Sequence, residues 1–246
     1  MRLARELAAG FGLLTRLPIG HLAPPGTDYA GAAWTYPVVG AAVGGLGAMA
    51  YAATTALGMS AALAAIWTLA AMILVTGGLH EDGLADTADG LGGRTPERRL
   101  AIMRDSRIGG YGAIAIMLCL AIRVAAIAQI AEPWRVAAAL VASSVLGRAA
   151  ILVVLAATKP ARADGLSATL AAVPIGAVLA GLGFALAVTV PLLGPHHALL
   201  SGALAGLAGV GTARLATRRI GGHTGDILGA TEILAECLVL SYLALP

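Results

Sequence analysis

The sequence predicts an all-α protein, a polytopic helical bundle embedded in a membrane with about seven spanning helices and an interfacial helix in front of them. Three observations predict it. The chain of 246 residues is 59% hydrophobic and only 12% charged, with a mean hydropathy of +0.86, whereas soluble domains carry about 25% charged residues. Residues 29–79 and 165–195 contain no Asp, Glu, Lys, Arg or His. The 33 glycines suit helices that approach closely in lipid, where small residues let backbones touch.

Met1 to Leu17, MRLARELAAGFGLLTRL, is basic at its start, apolar at helical spacing and ended by Pro18. It lacks a small-residue cleavage site, so the expectation is an amphipathic helix lying in the interface and not a signal peptide. Gly20 to Gly31 is a Pro- and Gly-rich loop. Apolar segments follow at 34–57, 61–79, 111–130, 136–157, 170–192, 199–213 and 227–245. No polar stretch is long enough to form a soluble domain, so residues 1–246 read as one membrane-embedded catalytic domain.

Charge asymmetry orients the bundle. Arg2, Arg5 and Arg16 precede the first span, five arginines from Arg94 to Arg107 follow the second, Lys159 and Arg162 follow the fourth, and Arg214, Arg218 and Arg219 follow the sixth. Arg135 alone falls on the other side, while Arg123 and Arg148 lie inside spans. The N-terminus and these loops are therefore expected on the cytoplasmic side of a cytoplasmic (inner) membrane. The same topology accounts for the pI near 9.2 without nucleic acid as a partner. Cys119 and Cys237 fall inside apolar segments and read as small hydrophobes.

Three polar clusters gather on the expected cytoplasmic side. The first, His80 to Gly93, HEDGLADTADGLGG, closes the second span. Asp82, Asp86 and Asp89 stand at i, i+4 and i+7 and fall within about 60° of one another on a helix. Carboxylates converging on one face repel unless a cation lies between them, and oxygen-only ligands favour Mg²⁺ or Mn²⁺ over zinc. Glu81, about 100° away, is a candidate supporting ligand. A solvated acidic loop is the plainer alternative. The second cluster, RRLAIMRDSRIGGYG, supplies Arg104, Asp105, Ser106 and Arg107, then the Gly109 to Gly112 turn that opens the third span. Exposed N–H groups at a helix start, flanked by arginines, suit a phosphate. The third, RRIGGHTGDILGATEILAE, brings Arg219, His223, Thr224 and Asp226 to the same face. Within the last segment, Glu232 and Glu236 are either functional or paired with Arg123 and Arg148. Metal-bound carboxylates beside an anion cradle are the equipment of phosphoryl transfer.

HEDGLADTADGLGG, IMRDSRIGGYG and RRIGGHTGDILGA, in this order, resemble the cobalamin synthase family, that is adenosylcobinamide-GDP ribazoletransferase or cobalamin-5′-phosphate synthase. TRLP at Thr15 to Pro18, YPVVG at Tyr36 to Gly40, and Arg148 add to the resemblance, which runs over almost the whole chain. Gly110 departs mildly from the Thr or Ala usual in the family. The resemblance implies a Mg²⁺-dependent membrane transferase that joins α-ribazole, or its 5′-phosphate, to adenosylcobinamide-GDP and releases GMP. It assigns Asp82, Asp86 and Asp89 to the metal with Glu81 in support. Arg104, Asp105, Arg107 and the Gly109–Gly112 turn go to the pyrophosphate or GMP, and His223, Thr224 and Asp226 complete the site. Which carboxylate acts as base, and the oligomeric state, stay open.

Two other readings compete. A CDP-alcohol-type membrane phosphotransferase also has a DG-x-x-A motif, but Asp86 stands where that family has Arg, and its later aspartates are missing. A cation transporter would bind its ion through the same aspartates, but they sit at a boundary instead of the midplane, and no paired broken-helix repeat is visible.

Overall fold

In the computed structural model, residues 2–23, 26–105 and 107–246 are described; part of the Pro-rich loop and Ser106 lie outside them. The chain is built of helices, and among the described residues the only β pairing is a single bridge between Pro160 and His223. Helix α1 (Arg2–Leu14) buries Ala8, Ala9 and Leu14 and leaves Arg2 exposed. It is pinned by Glu6, which accepts from Arg2 at 2.7 Å and from the Trp34 indole at 2.9 Å. The helix expected at the N-terminus is present, stopping three residues short of Leu17 where the Thr15 hydroxyl turns back to the Phe11 carbonyl.

Helix α2 (Tyr36–Ala56) packs along α7 (Pro133–Ala157), which is buried over most of its length and forms the axis of the bundle. The contact is backbone on backbone: a methyl group on Gly44 would lie 2.6 Å from the Leu140 carbonyl oxygen, and one on Gly40 would collide with that of Ser144. Here the small-residue rule for packing in lipid applies literally. Helix α3 (Ala61–Thr76), capped by Ser60, ends at Gly77 and Gly78, whose φ values of 71° and 69° favour glycine. The chain then bends by 89° into α4 (Leu79–Leu91), which carries the acidic stretch. Helix α5 (Pro96–Ile102) leads to α6 (Gly110–Ile130), and α7 follows directly.

After the short α8 (Leu166–Thr169), α9 (Ile175–Ile220) contains 46 helical residues, but Gly194 breaks it with φ 76° and ψ 159°. The two limbs double back: Gly181 packs on Leu152 and Gly209 on Ala150 and Val153, neighbouring levels of α7. The fifth and sixth expected segments are therefore these two limbs, the first starting at Ile175, not at 170, and the second running on to Ile220. Helix α10 (Gly225–Leu243) completes the bundle. The protein is a multi-pass membrane protein. Among the described residues four helices are long and apolar enough to cross a bilayer, or five if α3 and α4 are one bent span. That count treats the doubled-back α9 as one and leaves out α10, whose Asp226, Glu232 and Glu236 lower its hydropathy.

Candidate active site

Helix α4 is short and rich in acid, and its closest approach is its crossing with α10. A methyl group on Gly83 would lie 2.9 Å from the Asp226 carbonyl oxygen, and one on Gly229 would lie 3.2 Å from the His80 Cα. Two glycines facing each other let the backbones touch, which brings Asp82 and Asp86 beside Asp226. A cavity of about 120 Å³ opens there, lined by Tyr36, Asp82, Gly83, Leu170, Asp226 and Leu228. Asp86 is half-buried, and its carboxyl is pushed up to about 6, first by burial and then by the negative charges of Asp82, Asp226 and Asp89. Arg162 opposes this shift.

Asp89, the third residue of the expected triad, turns elsewhere. It accepts the backbone N–H of Gly109 at 2.7 Å and of Gly112 at 2.9 Å, at the start of α6. The helix start expected to cradle a phosphate thus holds a carboxylate of the protein itself, the same physics with an internal anion. Gly112 is needed for this, since a methyl group there would meet the Asp89 carboxylate. Of the flanking arginines, Arg104 donates to both oxygens of Asp164, at 2.7 and 2.6 Å. Arg107 forks onto Asp105, with a shortest contact of 2.6 Å, and holds its carboxyl down at about 2. Both pairs are partly exposed, where such pairs contribute little and exchange readily with another anion.

The third cluster is split in the same way. Thr224 caps α10, accepting the Ile227 N–H at 3.3 Å and donating to Asp226 at 3.1 Å, so it orients the aspartate. His223 faces inward. Its Nδ1 lies 2.8 Å from the Thr158 hydroxyl, its backbone N–H donates to the Lys159 carbonyl, and its carbonyl accepts from the Ala161 N–H. Burial lowers the pKa of its imidazole. Here it joins the loop after α7 to the loop before α10. The Arg219 carbonyl accepts from Arg99 at 3.0 Å, which ties α5 to the end of α9.

Sequence reasoning missed Arg162, which it used only to set topology. Its guanidinium donates to the Leu100 carbonyl at 2.7 Å and acts on Asp226, Asp86 and Asp164. It is the basic residue nearest to the aspartates in effect. The only signal in the sequence was its place with Asp164 in the loop after the fourth apolar segment.

Glu81 does not join the aspartates. It lies 2.9 Å from Arg123 of α6, whose other nitrogen reaches Glu236 of α10 at 3.2 Å. Arg148 of α7 holds Glu232 at 2.7 Å, and Ser144 donates to Glu236 at 2.8 Å. Of the two readings open for Glu232 and Glu236, pairing is what the geometry contains. Among the described residues no group of three or more His, Cys, Asp or Glu stands as a set that could hold a metal ion. Asp82, Asp86 and Asp226 crowd one another with Arg162 as the cation acting on Asp86 and Asp226, and the atoms they offer are all oxygens, the donor type of a hard divalent ion. A cavity of about 470 Å³ around Trp134, Arg135, His197 and Tyr242 lies at the opposite end of the bundle, away from this chemistry.

Comparison with known proteins places the whole chain. Residues 6–244 match the family described as Cobalamin-5-phosphate synthase. A Bradyrhizobium diazoefficiens protein named adenosylcobinamide-GDP ribazoletransferase is 48% identical over 237 residues, 96% of this chain and 90% of that protein. Proteins of the same name from Azorhizobium caulinodans and Mesorhizobium japonicum are each 40% identical, over 97% and 96% of this chain and 95% and 91% of theirs. No solved structure matches.

Proposed function

The chain belongs to the cobalamin-5-phosphate synthase family, and from that premise we propose that Asp82, Asp86 and Asp226 form the catalytic centre of its transferase reaction. The protein is a membrane-bound adenosylcobinamide-GDP ribazoletransferase, an enzyme of cobalamin biosynthesis that joins α-ribazole or its 5′-phosphate to adenosylcobinamide-GDP. The observation that carries the assignment of the centre is the crowding of these three carboxylates, Asp82 and Asp226 lining one cavity and Asp86 beside them with its carboxyl pushed up to about 6.

In the proposed reaction the 3′-hydroxyl oxygen of the ribazole forms a new bond to the cobinamide-linked phosphorus. The bond from that phosphorus to the bridging oxygen breaks, and GMP departs with it. The hydroxyl proton passes to an ionised aspartate of the cluster, within which Asp86 has the greater affinity for protons. A Mg²⁺ ion held by Asp82, Asp86 and Asp226 would neutralise phosphate oxygens of the substrate. Thr224 holds Asp226 in place. Arg162 offers positive charge beside the cluster, while Arg104 and Arg107 exchange their exposed carboxylate partners for substrate phosphate. Asp89 and the Gly109–Gly112 turn fix α4 against α6, a role one step removed from the substrate. This centre faces the cytoplasm, where the nucleotide substrates are, in keeping with the arginine-rich loops that surround it.

The test is GMP release by membranes containing the overproduced protein, given adenosylcobinamide-GDP and α-ribazole phosphate with and without Mg²⁺. Release that needs both the ribazole and Mg²⁺ is expected. GMP formed equally well without a divalent ion would overturn the cation assignment, and metal uptake into vesicles without GMP would favour transport.

A further inference from the structure

We propose that Glu81 is a positioning residue and not a cation ligand: gripped by Arg123, which also grips Glu236, it fixes the rotation of α4 about its own axis and so the direction in which Asp82 and Asp86 face Asp226. The proposal rests on the reading of those aspartates as the catalytic centre.

Few directional contacts set the rotation of α4. It has 13 residues, and it hangs from α3 by Gly77 and Gly78, a joint without side chains. It crosses α10 at Gly83 and Gly229, where the backbones touch, and beside that crossing Leu84 shares an apolar cluster with Ala230 and Ile233 of α10 and Cys119 of α6. Apolar packing holds the helices together but is non-directional. A rotation of about 20° would carry a group some 5 Å from the axis through about 2 Å, enough to spoil a ligand set. Two anchors resist that rotation. At the far end of α4, Asp89 is held by the N–H groups of Gly109 and Gly112. At the near end, Glu81 is held by Arg123.

The Glu81 anchor is stiff because of where it lies. The Arg123 side chain is 3% exposed and bridges Glu81 at 2.9 Å and Glu236 at 3.2 Å, so one planar guanidinium ties α4 to α10 through α6. Glu236 is fixed in turn by Ser144 at 2.8 Å and lies 3.7 Å from Arg148, which holds Glu232 at 2.7 Å. His80, the residue before Glu81, stands 3.7 Å from Glu232. Four helices therefore meet in one buried set of charges, in surroundings where ionic contacts are strong and a missing partner is costly. A cation at Glu81 would have to sit against Arg123, which repels it. One residue further along, Asp82 points to the open side of the same helix. Glu81 and Asp82 are thus the inward and outward arms of a single lever.

A double-mutant cycle decides between positioning and ligation. Glu81→Gln, Arg123→Met and the double variant of the full chain would be compared with wild type in detergent, by Mn²⁺ binding followed by electron paramagnetic resonance and by kcat with Mg²⁺. Each single change is expected to weaken Mn²⁺ binding and lower kcat by about tenfold or more, the usual size for groups that orient ligands. The double variant should be no worse than Arg123→Met alone, because both changes release the same anchor. Multiplying effects would overturn the proposal by showing that Glu81 acts on the cation directly, and so would a Glu81→Gln variant with wild-type binding and rate. If Arg123→Met does not fold, Arg123→Lys keeps the charge without the two-headed grip. It is expected to shift Mn²⁺ binding in the same direction, and a folded Lys variant with wild-type binding overturns the proposal. Wild-type protein that takes up no Mn²⁺ would instead defeat the cation reading of the aspartates, and the cycle in kcat would still decide the positioning role.

Discussion

Asp89 of α4 accepts the backbone N–H of Gly109 at 2.7 Å, and its other oxygen takes that of Gly112, so a carboxylate from one helix caps the start of another. Caps are usually local, supplied by the residue just before the helix. This one spans twenty residues of sequence, and it joins the acidic stretch directly to the glycine turn, which the sequence motifs assign to metal and to phosphate respectively.

Replacing Asp89 by Ala leaves two N–H groups at the start of α6 without their acceptor. The expected loss is about 1–2 kcal/mol, the scale of a lost cap. Thermal unfolding of the detergent-solubilised protein measures it. Asp89→Asn, which can still accept one of the two bonds, should fall between wild type and Ala.

Asp82 is exposed and has no structural partner among the described residues, so Asp82→Asn should leave stability within about 0.5 kcal/mol of wild type. It should nevertheless abolish GMP release. Near-normal turnover of this variant at limiting Mg²⁺ would remove Asp82 from the centre.

Asp86 predicts a pH dependence. Its folded-state pKa of about 6 lies above the ordinary 3.8, so between these values the folded protein keeps a proton that the unfolded chain has lost. Its contribution to stability therefore falls as pH rises through that window. Activity should run the other way, rising with pH through about 6 as the carboxylate ionises. Saturating Mg²⁺ should move this rise to lower pH, and Arg162→Met, which removes the one opposing cation, should move it higher. Rate profiles at two Mg²⁺ concentrations would show both shifts.

Gly194 holds φ 76° and ψ 159° where α9 doubles back. This region is essentially closed to side chains, so Gly194→Ala should destabilise by about 1–3 kcal/mol. The readout is the melting temperature in detergent, with Gly206→Ala, in open space on the second limb, as a control expected to be neutral or better.

The sequence by itself determined the membrane class, the approximate place of the apolar segments, and the three polar clusters, while the resemblance of its motifs gave the family. Class, segments and clusters follow from composition, length and spacing, which act locally and survive without knowledge of what packs on what. Only the tertiary structure decided which carboxylate does what. Helical spacing put Asp82, Asp86 and Asp89 on one face and Glu81 near them, but the crossing of Gly83 with Gly229 selected Asp226 as their neighbour. The start of α6 captured Asp89, and Arg123 drew Glu81 inward. The same holds for Gly194, whose backbone angles turn what would be one long helix into two spans. A charged group in a low-dielectric bundle is committed by whichever opposite charge or N–H lies within about 3 Å of it, and the partners here come from helices 20 to 113 residues away, a distance no periodicity encodes.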